Sequence, residues 1–183
     1  MPEVIPEVEM MESEYDGGRV RSPNFPAFDL GEALELAQQL YEKEGRAATR
    51  EGVVVSHWGY GSLSGRARRK LAALKHFGLL EGEGSGRGKL MRLSVLAQKI
   101  LLDPDKQSAA YLQALREAAL KPVLIRSLYD EYRNGLPSDE TIKYNLLLEK
   151  KFTERAASQF VPVFRKTLKI ARLLDPQPGA KPE

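Results

Sequence analysis

The side chains best placed to do chemistry in this 183-residue sequence lie between Gly59 and Leu93. There Arg66, Arg68, Arg69 and Lys70 stand almost consecutively, and Arg87, Lys89 and Arg92 surround the end of a glycine-rich run, GEGSGRG. A guanidinium is a planar fork of N–H donors that meets two acceptors at once, whereas an ammonium acts as a point charge. Helical spacing sorts the first group. At about 100° per residue Ala67, Leu71, Leu74 and Gly78 form one stripe that can face a core, and Gly65, Arg66, Arg69, Ala73 and His76 fall on the opposite face. Arg68 and Lys70 lie on the flanks. Cations beside small residues let a helix backbone approach a polyanion closely, so the chemistry these positions can do is non-covalent recognition.

The elements that must position them can be read from the flanking residues. Ser62 or Ser64 can cap the start of the basic helix, and Gly78 suits the left-handed residue at its end. Beyond it, Leu79 to Glu81 and Lys89 to Leu93 are short apolar-containing runs on either side of the glycines. This predicts a single antiparallel hairpin with Arg87, Lys89 and Arg92 along a positive edge. Upstream, Asp29 with Glu32 forms a capping box for a helix to about Glu44, which Gly45 stops. Thr49 is then the expected cap of a shorter helix through Val53, Val54 and Val55 to about His57. Trp58 and Tyr60, at the turn that follows, are expected to wedge into the core. Leu93, Leu96, Ala97, Ile100 and Leu101 predict a further helix closed by Asp103-Pro104.

Residues 46–102 resemble the winged-helix DNA-binding superfamily. The resemblance is carried by Arg66-Ala67-Arg68-Arg69-Lys70-Leu71, by Phe77-Gly78-Leu79-Leu80-Glu81 and by the glycine hairpin, and it covers about a third of the chain. The whole chain is similar to bacterial two-module winged-helix proteins. What the resemblance implies is a recognition helix for the major groove of double-stranded DNA, a wing, and a role in transcription regulation. Its contact residues would be Ser62, Ser64, Arg66, Arg68, Arg69, Lys70, His76, Arg87, Lys89 and Arg92, with Arg66 and Arg69 on base edges, Arg68 and Lys70 nearer phosphate, and His76 on a base or a phosphate. A protein-interaction adaptor on the same scaffold, docking an acidic partner, is the competing reading, and an RNA binder a third.

Charge favours the first reading. The net charge of +3 divides into −6 over residues 1–16, which hold Glu3, Glu7, Glu9, Glu12, Glu14 and Asp16 with no basic residue, and +9 over the remainder. Between Arg46 and Lys99 eleven Lys or Arg face only Glu51, Glu81 and Glu83, which concentrates the surplus around the basic helix and hairpin. Residues 1–28, rich in proline and acid, read as a disordered tail. A winged-helix domain over 29–105 and a helical domain over 106–175, possessing the outline of a degenerate second helix-turn-helix, complete the expected organisation. Residues 176–183 form a second tail.

In the helical half, Leu112, Leu115 and Ala119 mark one helix, Leu124 to Tyr132 a second, and Pro137-Ser138-Asp139 opens a third. Thr153 caps the last. Pro162 is expected on its polar side, where it would bend or split the helix. Phe160, Val161, Val163, Phe164, Leu168, Ile170, Ala171 and Leu174 form an arc that should meet a second surface, supplied either by the rest of the helical half or by a second copy in a homodimer through these helices.

Several functions are excluded by pattern. Without cysteine there is no disulfide, thiolate metal site or cysteine nucleophile, and His57 and His76 are not spaced as metal ligands. A GxxxxGK phosphate loop would need glycine where Glu83 stands. No cofactor and no catalytic motif is recognisable, so a non-enzymatic protein is expected. The absence of a signal pattern and of a long apolar run points to the cytoplasm, at the nucleoid.

Overall fold

The computed structural model describes residues 22–175. The elements run α1 (Leu30–Glu44), β1 (Thr49–Arg50), α2 (Glu51–His57), α3 (Gly65–His76), β2 (Leu80–Glu83), β3 (Leu90–Leu93), α4 (Val95–Leu102), α5 (Ala109–Ala119), α6 (Val123–Glu131), α7 (Asp139–Glu149) and α8 (Glu154–Ile170). The described chain is mainly helical, with one small antiparallel sheet in the order β1-β3-β2.

Local sequence explains most element boundaries. The Asp29 carboxylate accepts from the backbone N–H of Gly31 at 2.9 Å and of Glu32 at 3.2 Å, so α1 begins where the capping pattern predicts. Ser64, Ser94, Ser108, Ser138 and Thr153 cap α3, α4, α5, α7 and α8 in the same way. Gly45, at φ 57°, ends α1.

Helix α1 is the centre of the packing: it contacts α2, α3, α4 and β3 as well as α8. Its buried Leu30, Ala33, Leu36, Ala37 and Leu40 supply the surface, and Gly31 lets α8 come close. A Cβ at Gly31 would lie 2.8 Å from Ile170 Cδ1. One apolar cluster therefore runs from α1 through the sheet to α8, and the Thr167 hydroxyl inside it accepts from Leu30 N–H at 3.2 Å. The connection between α4 and α5 is tied down: Asp103 accepts from Asp105 N–H and the Ser108 hydroxyl, and Lys106 donates to the Ile100 and Leu101 carbonyls.

Three expectations need correction. The hairpin is not isolated, because Thr49 pairs with Met91 and Arg50 with Leu90, giving β3 a second neighbour. Thr49 consequently lies in a strand, and Arg50 precedes α2 without a side-chain cap. A two-residue strand carries no periodic signal, and its formation depends on a long-range partner. Residues 1–21 lie outside the described part, but 22–28 are not a tail. Phe25 stacks on Phe152 at 5.5 Å and meets Phe160 edge-on at 5.2 Å, and the Ser22 hydroxyl accepts from Thr153 N–H. The prolines flanking Phe25 restrict the free chain and so lower the entropy lost when the segment docks.

Two further expectations concern α8. It runs unbroken through Pro162, so the helix is not split there, and Pro162 lies on the exposed side as expected. Its apolar arc is core within a single chain: Phe160, Phe164, Leu168 and Ala171 are fully buried against α1, α5 and α7, and only Leu174 is exposed. The second surface that the arc was expected to meet is thus supplied by the same chain. Residues 176–183, the other expected tail, lie outside the described part.

Candidate nucleic-acid interface

Helix α3 is held at both ends. Ser64 Oγ accepts from Ala67 N–H at 3.2 Å, while Phe77, fully buried, and Gly78, at φ 68°, turn the chain into β2. Glycine is favoured at position 78 by the left-handed backbone, and the Lys121 side chain lies over it, 2.9 Å from where a Cβ would be. The Ser94 hydroxyl donates to the Gly78 carbonyl at 2.6 Å and also accepts from Ala97 N–H, tying the end of α3 to the start of α4. Ala67, Leu71 and Leu74 face the core as their spacing requires.

The outward face is narrower than the sequence indicates. Gly65, Arg66, Arg68, Arg69 and Ala72 are exposed, but Ala73 is fully buried and His76 half-buried. The expected opposite face therefore exists only over the first two turns. Arg66 and Arg69 make no ion pair or hydrogen bond among the described residues. Arg68 Nε donates to the Leu63 carbonyl at 3.1 Å, and Lys70 Nζ sits 5.3 Å from the centre of the Tyr60 ring, which steadies the ammonium on the flank. Ser62 is exposed in the turn before the cap.

The hairpin is less positive than expected. Glu81 stands opposite Arg92 and Glu83 opposite Leu90, so Arg92 lies 3.7 Å from Glu81 and 4.0 Å from Glu83. A cross-strand pair of this kind needs only the register to form. Lys89 is half-buried with its stem across Gly82. The backbone of Arg87 lies in the short 3-10 turn Gly86–Gly88, and its side chain is outside the description. Lys75, absent from the expected set, is bound to Glu51 at 3.2 Å.

Trp58 packs into the core as expected, donating from Nε1 to the Leu36 carbonyl at 3.0 Å. His57 is paired with Glu44. Among the described residues no group of three or more His, Cys, Asp or Glu could hold a metal ion, and no helix is long and apolar enough to cross a membrane. No family model, curated protein or solved structure matches the chain.

Burial pushes His76 below the ordinary imidazole value of 6.5. The fold favours the neutral ring, so protonation opposes folding: this contribution is complete above 6.5 and is lost as pH falls from there through the lowered folded value. Urea melts at two pH values bracketing this window should show a loss of stability on acidification that is smaller in His76→Gln. An equal loss in both proteins would mean that His76 does not carry the effect.

The residue that sequence reasoning missed is Arg50. It is exposed on edge strand β1, beside the hairpin. The only signal for it was its place in the basic stretch that starts at Arg46.

Proposed function

We propose that this chain binds double-stranded DNA, with the first two turns of α3 in the major groove, and that it regulates transcription. The observation that carries the reading is the set of exposed guanidinium groups, Arg66, Arg68 and Arg69, on a capped and core-anchored helix with no carboxylate engaging them among the described residues. Helices that read the major groove do so with their N-terminal residues, and here those turns are the uncovered ones. The order of α1, β1, α2, α3, β2 and β3, with β3 central, supports a winged helix over this part of the chain. On this reading the protein has no catalytic step.

Base edges fall to Arg66 and Arg69, whose side chains are uncommitted. Arg68, whose Nε is engaged by Leu63, and Lys70, resting on Tyr60, are the phosphate contacts. His76, neutral and half-buried, adds no charge at neutral pH.

Anisotropy titrations of the full chain on random and selected duplexes test the proposal. Affinity should fall steeply with salt as condensed counterions are displaced. Arg66→Ala and Arg69→Ala should each cost about 1–3 kcal/mol on the preferred sequence and less on random DNA. Equal weakening on every duplex would reduce both residues to phosphate contacts. Failure of the wild-type chain to shift any duplex at low salt would overturn the reading and leave an acidic protein partner as the better account.

A further inference from the structure

A groove of about 380 Å³ opens between the hairpin and the segment leading into α3. Arg50, Gly52 and Val53 line it from β1 and α2, Gly86 and Lys89 from the hairpin, and Leu63 from the turn before α3. Its charged side chains are two cations, Arg50 and Lys89, and one carboxylate, Glu51. Arg50 has no ion-pair partner among the described residues. The Leu63 carbonyl is already occupied by Arg68 Nε, and Glu51, the one carboxylate on the lining, is held by Lys75 Nζ at 3.2 Å. Gly52 leaves the groove open, since a Cβ built there meets nothing within 4 Å.

We propose that this groove seats a phosphodiester of the DNA backbone, with Arg50 and Lys89 as its donors. The inference rests on the duplex-binding reading and extends it from α3 to the β1 edge. A small open groove with two cationic donors and its acceptors already engaged suits an anionic tetrahedral oxygen cluster better than a neutral ligand. The contact is blind to sequence. Its effect is to fix how the duplex lies against the hairpin while α3 meets the bases.

Gly52 permits a test that leaves the groove's donors in place. It lies in the first turns of α2 with open space around it, so Gly52→Glu and Gly52→Lys both fit, and each replaces glycine with a better helix former. On the full chain, Gly52→Glu should weaken binding to every duplex about tenfold at roughly 50 mM salt, and Gly52→Lys should tighten it and steepen the salt dependence. Arg50→Ala should make the slope of log affinity against log salt shallower by about 0.9, again on every duplex. It also supplies the reading if either glycine variant fails to fold. If all three variants keep the wild-type affinity and slope while Arg66→Ala still weakens binding, the phosphate seat is overturned and the duplex-binding reading stands. If the wild-type chain binds no duplex at that salt, both are overturned together.

Discussion

Phe160→Ala should destabilise the protein more than any substitution on the proposed interface, by about 3–5 kcal/mol. Phe160 is fully buried at the junction of three aromatic contacts: Phe25 edge-on at 5.2 Å, Phe152 tilted at 5.8 Å and Phe164 stacked at 5.7 Å. Truncation removes a large apolar surface and leaves a cavity whose walls belong to the segment before α1, the turn before α8 and α8 itself. Against a total stability of roughly 5–15 kcal/mol the loss is a large fraction, and a domain of this size should melt about 10 °C lower. Circular dichroism melts would check it. A loss below about 1 kcal/mol would mean that the aromatic cluster is not part of the cooperative core.

Gly65→Glu should have effects of opposite sign on folding and on binding. Gly65 is the first residue of α3, exposed, with open space where a side chain would go, and the first turn of α3 has no acidic residue. Replacing glycine in a helix gains up to about 1 kcal/mol, and a carboxylate in the first turn gains a further ~0.3–1 kcal/mol from the helix dipole. The melting temperature should therefore rise by a few degrees. The same carboxylate sits four residues before Arg69 and on the face proposed to meet DNA. It would engage that guanidinium and repel phosphate, so duplex affinity should fall on the order of tenfold or more. A variant that is more stable and binds as tightly as the wild-type chain would show that this face of α3 does not meet the duplex.

The elements that were legible in the sequence are those fixed within one or two helical turns. Asp29, Ser64, Ser138 and Thr153 act as caps because each bonds to a backbone N–H two or three residues ahead. The burial of Ala67, Leu71 and Leu74 follows from helical spacing, and Gly78 ends α3 because the backbone there is left-handed. The exposure of Arg66 and Arg69 belongs to the same local order.

What lies around these elements was decided by residues far away in the chain. Ala73 and His76 share the helical face of Arg69, yet tertiary packing covers them, so periodicity alone drew the exposed face about one turn too long. Arg92 reads as a free cation until the register of β2 and β3 places Glu81 opposite it. Phe25 sits among prolines with no periodic neighbour, and its burial depends on Phe152 and Phe160. The broad arc of α8 looks unsatisfied in sequence because the helix that covers its final turns, α1, lies more than a hundred residues earlier. The sequence by itself determined the helices, their caps and the cationic start of α3, since each depends on bonds and side-chain directions within a few residues. Only the tertiary structure decided how much of α3 remains exposed, which cations remain unpaired and that Arg50 stands beside Lys89, since those depend on which distant surfaces exclude water and bring charges together.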